Sequence, residues 1–477
     1  MLNWLNENLE NAGHCFTRSQ THNWFIVSVI ALMIGQEHVG VTSFIRELWL
    51  NPVHYYSALH FFRSTALKLE VLRHWWIQTV LKSDVLYREN GMAVMVGDGT
   101  KKSKEGKKMP CVKRLHQESE NSAKPSFIFG QMFGMVGVLA GNAGKLFCVP
   151  LTMKIHDGDR QIRKWEAEDT EGESHVVRII RDACGCAKIL GKSILLLDAY
   201  YLSVPALVAL EDEAKKAGRE LVSIIVRAKK NVTAYELPER KHGKGRPPKK
   251  GKQVKLAELW ESSKTLRRQA TVTIYGKEEK VSFMSHDLLW GLKHYQMLRF
   301  VIASVNGANP IILATNDLSL EPLQIVRLYS YRFKIECAFF QLKHVIAGFA
   351  YRFWSDAMPK LNRFASSGSD PLASIEDTND RKLIVDAFRA TQVYVMVACV
   401  ALGLLQICSL KFADEINAAP LRWIRTRRGL IPSEVTTADF LRKTIFKLFG
   451  SASTLGIIRI IQSFQVSNEG SSQAEVA

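Results

Sequence analysis

Apolar residues change their spacing along the chain near residue 90, and the change predicts two kinds of structure. The first 85 residues contain long apolar runs such as 24–34, which are typical of buried helices. Beyond residue 90, short apolar runs bounded by glycine and polar residues predict strands at 93–96, 126–138, 145–153, 193–197 and 220–227. Helices are predicted between the later strands, at 174–190 and 205–217. This order predicts an α/β core with a mixed sheet and helices on its faces.

A segment rich in Gly, Pro and Lys interrupts the alternation at 228–296, and strand-like runs within it, at 271–275 and 280–283, predict a separate β-rich insertion. A Ser- and Gly-containing stretch at 366–380 predicts a linker, and the tail from Ser467 is predicted to be disordered. The predicted regions are N-terminal helices at 1–88, a first core part at 89–227, the insertion at 228–296, a second core part at 297–350 and C-terminal helices at 381–465.

Positive charge is concentrated in two short windows. Of the formal net charge of +18, residues 99–116 carry +6 and residues 227–255 carry +9. Such clustering favours a polyphosphate partner, because each neutralised phosphate releases counterions. Lys101 and Lys102 in the first window and Arg246 in the second are therefore candidates for DNA contacts. Solvated Lys-rich loops are the alternative explanation.

Other features of the sequence favour a cytoplasmic protein. The eight cysteines have neither CxxC pairs nor zinc spacing, which is typical of reduced thiols. The start of the chain lacks the basic residues of a signal peptide. An apolar run at 393–405 is shorter than the roughly 20 residues that cross a bilayer, so it predicts a buried helix without membrane contact.

Four residues of a predicted helix at 323–343 form an aligned polar row. Tyr329, Arg332, Glu336 and Lys343 fall within an arc of about 60° at the helical spacing of about 100° per residue. A stripe of apolar residues runs beside them, so the polar row would border a buried seam. An ordinary amphipathic helix with an Arg332–Glu336 pair is the alternative.

Two aspartates follow strongly apolar strands. Asp98 comes after the strand 93–96 and Asp198 after the strand 193–197, where strand ends open onto ligand-binding crevices. Aspartate and glutamate are hard oxygen donors that suit Mg²⁺ or Mn²⁺. Other acids compete for these roles, but none follows an apolar strand as closely: Glu118, Glu120, Asp157, Asp159 and Asp182.

These motifs resemble a known family. Tyr329-x2-Arg332-x3-Glu336-x6-Lys343 is similar to the signature of the bacterial insertion-sequence transposases of the DDE type, in the family designated by the number four. Asp98-Gly-Thr and Asp198-Ala-Tyr-Tyr resemble the two aspartate motifs of that family, in the same order. The resemblance covers about residues 90–350. It implies a ribonuclease-H-like catalytic core.

The resemblance also implies an activity and its residues. Asp98, Asp198 and Glu336 would bind two Mg²⁺ or Mn²⁺ ions for an in-line phosphoryl displacement that cuts transposon ends and joins them to target DNA. Tyr329, Arg332 and Lys343 would hold DNA phosphates, with Arg as a fork and Lys as a point charge. The family can also supply a tryptophan that stacks on a flipped base. Trp260 and Trp290 are candidates, with core packing as the alternative.

The implied partners are double-stranded DNA, as transposon ends and target, and a second copy of the chain in the active complex. Two short helices around the turn at Asn51-Pro52 suit a helix-turn-helix that contacts DNA ends, and they suit a small helical bundle equally. The C-terminal helices would serve oligomerisation. Gly245-Arg246-Pro247 resembles a minor-groove arm, and a basic loop contacting phosphates explains it equally well. Two other functions stay open: a non-catalytic DNA-binding protein or inhibitor derived from a transposase, and an endonuclease that does not join.

Overall fold

The computed structural model describes residues 1–37, 40–117, 125–167, 173–239, 248–274, 276–362, 370–420, 430–450 and 453–466. Several predictions fall on other residues: the DNA contact of Arg246, the competing acids Glu118 and Glu120, the start of the linker and the tail from Ser467. Within the described residues the chain is a mixed α/β protein, in which helices cover a large sheet. The predicted α/β class is confirmed.

A single mixed sheet contains every strand of the described residues. Its order is β3-β4-β2-β6-β7-β13-β12-β11-β8-β9, with β5 beside β4, β1 beside β2 and β10 beside β11. The strands are β1 (Arg88–Glu89), β2 (Met92–Ser103), β3 (Lys113–His116), β4 (Phe127–Asn142), β5 (Lys145–Ile155), β6 (Ser193–Leu197), β7 (Val222–Ala228), β8 (Thr233–Tyr235), β9 (Gln253–Lys255), β10 (Arg268–Ile274), β11 (Lys277–Trp290), β12 (Gln296–Val305) and β13 (Ile311–Thr315).

The centre of the sheet is parallel, and its flanks are antiparallel. Strand β6 pairs in parallel with β2 on one side and β7 on the other, while β2, β4 and β5 form an antiparallel meander. Every residue of β6 is buried, as expected of a strand covered on both faces. Helices α6 (Arg160–Trp165) and α7 (His175–Leu190) precede β6, and α8 (Val204–Ala217) connects it to β7.

The predicted β-rich insertion is not a separate sheet. Strand β11 is longer than the predicted run 280–283 and pairs with β12 along its second half, from Val281↔Val305 to Trp290↔Gln296. Strand β10 pairs with the first half of β11, and the short helix α9 (Leu256–Ser262) precedes it. Because β12 and β13 join β11 to β7, the insertion extends the main sheet.

The predicted continuous helix at 323–343 is interrupted. Helix α10 (Pro322–Ser330) is followed by a 3-10 turn at Tyr331–Phe333, and α11 (Lys334–His344) begins directly after it. Arg332 therefore lies in the turn, between Tyr329 on α10 and Glu336 on α11. Because a 3-10 turn is more tightly wound than an α-helix, ideal helical angles hold within α11 but not across the turn.

Helices from the two ends of the chain form one layer over the sheet. Helix α12 is its centre: α2, α4 and α14 pack against α12, which itself lies on β5, and α15 contacts α1 and α2. The helices of this layer are α1 (Leu2–Asn11), α2 (Ser19–Ile34), α3 (Val41–Glu47), α4 (Tyr55–Arg63), α5 (Leu69–Lys82), α12 (Thr378–Lys411), α13 (Ala413–Ala418), α14 (Glu434–Phe449) and α15 (Gly456–Ser463).

Helix α12 is longer than the sequence predicts. Its 34 residues exceed a bilayer's thickness, and its most apolar 18-residue window has a mean hydropathy of 2.3. It is the one described helix long and apolar enough to cross a membrane, but 94% of that window is buried inside the protein. Gly403 allows a close approach to α5, since a Cβ there would lie 2.2 Å from Cζ2 of Trp76. The helix is thus a core element of this fold, as predicted for the run 393–405.

Candidate active site

Asp98 and Asp198 lie at the same edge of the parallel pair. Asp98 was predicted to follow a strand directly, but β2 continues to Ser103 because it stays paired with β4, where Asp98 faces Met135. The parallel register pairs Val96 with Leu196, and β6 ends at Leu197. Asp98 and Asp198 therefore stand two residues beyond the same register pair. The order of the strands brings together two acids that are 100 positions apart in the sequence.

Arg332 connects Asp98 to Glu336. Its Nη1 lies 3.1 Å from Oδ2 of Asp98, and its Nη2 lies 3.7 Å from Oε1 of Glu336. The side chains of Arg332 and Asp98 are 17% and 18% exposed, whereas that of Glu336 is 43% exposed. The i,i+4 pair that the sequence left as an alternative is therefore present, but it is part of a larger contact. Arg332 thus links Glu336 of α11 to Asp98 of β2.

The carboxyl group of Asp98 is electrostatically unfavourable as an anion. Its pKa is raised to about 6, mainly by burial and also by the nearby charges of Glu336 and Asp198, against the opposing effects of the Gly99 backbone and Arg332. The Gly99 N–H donates to Oδ1 of Asp98 over 2.7 Å. The carboxylates of Asp98, Asp198 and Glu336 repel one another, so an added cation would stabilise them.

The other two residues of the polar row also face β2 or the aspartates. Nζ of Lys343 donates to Oγ1 of Thr100 over 2.6 Å, in the segment that follows Asp98. Tyr329 is largely buried, and its pKa is raised to about 12. The charge of Arg332 lowers this pKa, and the charge of Asp198 raises it. Arg332 and Lys343 of the predicted row thus contact β2, at Asp98 and at Thr100, even though the helix that carries the row is broken.

Basic residues of the window 99–116 have mixed environments. Lys101 donates to the backbone oxygen of His116 over 2.6 Å and keeps part of its side chain exposed, as does Lys102. Lys104 is buried and donates to the backbone oxygens of Phe349 and Tyr351, and burial lowers its pKa to about 7. One of the seven basic residues in this window is therefore a structural residue and cannot contact a phosphate.

The carboxylates match a hard divalent cation in donor type. The donors would be oxygen atoms of Asp98, Asp198 and Glu336. Within the parts of the chain that the structure describes, no three His, Cys, Asp or Glu side chains are gathered closely enough to hold a metal ion. Arg332 lies between Asp98 and Glu336 and supplies the compensating charge in this arrangement.

The competing acids have ordinary partners. Asp157 pairs with Lys113 at 2.8 Å, and Asp159 pairs with Arg178 at 2.9 Å. Asp182 accepts from Lys154 at 2.7 Å. Among the described acids that the sequence offers, these three therefore belong to ion pairs away from the Asp98–Arg332 contact.

Two tryptophans were candidates for stacking on a base. Trp260 is buried, and the guanidinium of Arg267 lies 4.0 Å from its ring centre, so core packing explains it. Trp290 ends β11, where it pairs with Gln296 and is partly buried.

Sequence reasoning missed two histidines beside the site. His175 contacts the hydroxyl group of Tyr201 at 2.8 Å, and that hydroxyl group lies 3.4 Å from Oδ1 of Asp98. His156 contacts His175 at 2.9 Å. Tyr201 belongs to the Asp198-Ala-Tyr-Tyr motif, which was the only signal in the sequence. Neither histidine follows a pattern that would have connected it to Asp98.

Comparison with known proteins adds no family assignment. A scan against protein-family models finds no matching family, and a search of curated proteins finds no matching sequence.

Proposed function

We propose that this chain is a DNA transposase of an insertion sequence, which cuts transposon ends and joins them to target DNA. The observation that carries the proposal is the contact of Arg332 with both Asp98 and Glu336. The two motifs that supply these residues lie more than 230 positions apart in the sequence. An unrelated amphipathic helix would have no reason to direct this arginine at the first aspartate.

The order of the central strands supports a ribonuclease-H-like core. Strands β2, β4 and β5 form an antiparallel meander, and β6 and β7 then add in parallel on the opposite side of β2. In this arrangement Asp98 lies on β2, the first of these five strands, and Asp198 directly follows β6, the fourth. Glu336 reaches them from a helix that follows the inserted strands.

Asp98, Asp198 and Glu336 would hold the divalent ions. When bound, two such ions activate a nucleophilic oxygen and stabilise the leaving oxygen of an in-line phosphoryl displacement. Arg332 can present its guanidinium as a fork to a DNA phosphate, and Lys343, anchored at Thr100, can present a point charge. Tyr329 lies near enough to Arg332 for the charge of Arg332 to lower its pKa, and it would hold a phosphate beside that guanidinium.

The proposed partners follow from this activity. Double-stranded DNA would be bound as transposon ends and as target, with contacts from Lys101 and Lys102 on β2, the strand that carries Asp98, and from the basic segment 227–255. A homodimer would hold the two ends, and the protein would act in the bacterial cytoplasm.

The direct test uses the DNA that flanks the gene. That DNA is searched for terminal inverted repeats bounded by a short duplication, and the labelled ends are incubated with the protein, Mg²⁺ and a target plasmid. We expect cleavage followed by joining. Cleavage without joining would instead identify an endonuclease, and binding without cleavage a DNA-binding protein.

Carboxylate variants complete this test. Asp98→Asn, Asp198→Asn and Glu336→Gln should each abolish cleavage and retain DNA binding, because neutralising an acid removes no phosphate contact. Asp356→Asn is a matched control, since Asp356 is 80% exposed and pairs only weakly with Lys108 at 3.4 Å. Cleavage near the wild-type rate by any of the three variants would remove that residue from the site.

A further inference from the structure

Two glycines open a recess in the sheet next to Asp98. Gly99 on β2 and Gly134 on β4 are register partners. A Cβ on Gly134 would lie 2.1 Å from Nδ1 of His156, and a Cβ on Gly99 would lie 2.8 Å from Nε2 of His175. The two imidazoles therefore occupy space that any other pair of residues would fill.

Hydrogen-bonding groups run without interruption from this recess to an ion pair. Nε2 of His175 lies 2.8 Å from the Tyr201 hydroxyl group, and its Nδ1 lies 2.9 Å from Nδ1 of His156. Nε2 of His156 lies 3.3 Å from Oδ2 of Asp182. The other carboxylate oxygen of Asp182 accepts from Nζ of Lys154 over 2.7 Å.

The ionisation of Asp182 fixes the direction of this chain. Although burial opposes it, the charge of Lys154 and the hydrogen bond from His156 hold the pKa of Asp182 below its usual range. Burial lowers the pKa of His156, and it lowers the pKa of His175 to about 3, so both rings are neutral near pH 7. A carboxylate can only accept, so Nε2 of His156 carries that ring's hydrogen.

The remaining hydrogens follow from this first one. Nδ1 of His156 has no hydrogen and must accept, so Nδ1 of His175 donates to it. Nε2 of His175 then has only a lone pair, and it accepts the hydroxyl hydrogen of Tyr201. That hydrogen is no longer available to Asp98, whose Oδ1 lies further away, at 3.4 Å.

We propose that Tyr201, His175, His156 and Asp182 position the Asp98 carboxylate through a chain of hydrogen bonds that all donate towards Asp182. In this direction the hydroxyl hydrogen of Tyr201 points away from Oδ1 of Asp98. The part of this proposal that concerns a cation rests on the proposed function. Oδ1 of Asp98 then receives only the Gly99 N–H among the described donors around it, and its remaining lone pairs are free for a divalent ion. These four residues are positioning residues, since none of them needs to touch DNA.

The direction of the chain can be reversed by one isosteric change. In Asp182→Asn the carbonyl oxygen would stay with Lys154, which needs an acceptor, and the amide N–H would face His156. Nε2 of His156 would then accept, every later hydrogen bond would reverse, and Tyr201 would donate to Asp98. A hydrogen bond to a charged carboxylate must be broken before a cation uses the same lone pair.

Histidine tautomers test the chain independently of any activity. The full-length protein is labelled with [15N]histidine, and long-range 1H–15N spectra identify which ring nitrogen carries hydrogen. We expect Nε2–H for His156 and Nδ1–H for His175 in the wild-type protein, and both assignments exchanged in Asp182→Asn. The opposite tautomers in the wild-type protein, or unchanged tautomers in the variant, would overturn the proposal.

Binding of Mn²⁺, measured by electron paramagnetic resonance of the free ion, tests the positioning role. Asp182→Asn should weaken binding about tenfold, as expected for one competing hydrogen bond to a charged group. Adding Tyr201→Phe to that variant should restore binding, because phenylalanine has no hydrogen to donate. General damage to the fold would not be repaired by a second substitution. Tyr56→Phe, at a tyrosine that is 80% exposed, should restore nothing.

The outcomes separate the two proposals. Exchanged tautomers with unchanged Mn²⁺ binding in Asp182→Asn would overturn the positioning role. A double variant that binds as weakly as Asp182→Asn would overturn it as well. A wild-type protein that binds no Mn²⁺ would contradict the proposed function, and the tautomers would still decide the direction of the chain.

Discussion

Removing the charge of Asp98 should stabilise the metal-free protein while it abolishes the proposed activity. The raised pKa of Asp98, about 6 against an ordinary 3.8, means that the fold disfavours the ionised form, mainly because the group is buried. At about 1.4 kcal/mol per pH unit, this difference corresponds to a penalty of about 3 kcal/mol on the free energy of unfolding at high pH. The side chain is only 18% exposed, so solvent screening reduces this figure little.

The sign of the pH dependence follows from the direction of the shift. A carboxyl group whose pKa is raised by folding destabilises the protein once pH exceeds its unfolded pKa, and the penalty stops growing above the folded pKa. Between 3.8 and about 6 the penalty therefore increases. It should be about half of its full value at pH 5 and about 3 kcal/mol at pH 8. Asparagine has a similar shape and never ionises, so Asp98→Asn should gain stability by these amounts.

Urea denaturation in EDTA, at pH values from 5 to 8, measures this difference. Asp356→Asn is the control, because an exposed carboxylate should give no pH-dependent gain. Addition of Mg²⁺ should then stabilise the wild-type protein and leave Asp98→Asn unchanged. A variant that is less stable than the wild type at pH 8, or a gain that does not grow with pH, would refute the argument from burial.

Three further changes test other parts of the molecule. Arg332→Ala should impair cleavage of labelled ends without loss of folding, and full cleavage by this variant would contradict the proposed role. Arg332→Lys should rescue little, because a point charge cannot contact both Asp98 and Glu336. Lys343→Arg should have a milder effect on cleavage. Gly403→Ala should cost about 1–3 kcal/mol in urea denaturation through its clash with Trp76, whereas Gly185→Ala, which meets open space, should not destabilise. Glutamine in place of Lys and Arg at 240–255 should weaken binding to all DNA sequences and flatten its salt dependence, and an unchanged salt slope would identify a solvated loop.

Local sequence patterns correctly predicted the elements that have an unbroken run or face of buried residues. The strand Ser193–Leu197 has the predicted bounds because four of its five residues are apolar and all five are buried. Helix α7 was predicted with equal success, because Ser174 caps it and an apolar face runs along it. In both cases the neighbours in sequence determine the structure.

The missed features depend on distant partners. The sequence after Asp98 is Gly-Thr-Lys-Lys, which has no strand pattern, yet β2 continues there because β4 supplies its hydrogen bonds from Met135 to Gly130. Pairing with a remote strand overrides weak local preference, so the bounds of β2 could not be predicted from composition.

The candidate site also has a part that local sequence motifs predict and a part that depends on contacts between distant residues. Asp98, Asp198 and the residues of the polar row could be predicted, since each belongs to a motif with fixed spacing. The recess of Gly99 and Gly134 could not, because these two glycines become neighbours only through the register of β2 and β4. His156 directly follows β5 and His175 begins α7, so their contact likewise depends on the packing of elements that are apart in the sequence.

Arg332 has two uses in the proposed function, and they exclude one another. In the absence of DNA its guanidinium lies against Asp98 and partly offsets the cost of burying that carboxylate. A DNA phosphate that takes the guanidinium leaves Asp98 without its counter-charge, next to two other acids. An unpaired buried carboxylate is costly, and a divalent ion is the group that best replaces the lost charge. Binding of DNA and of metal should therefore favour one another, because each removes the competitor of the other from this site.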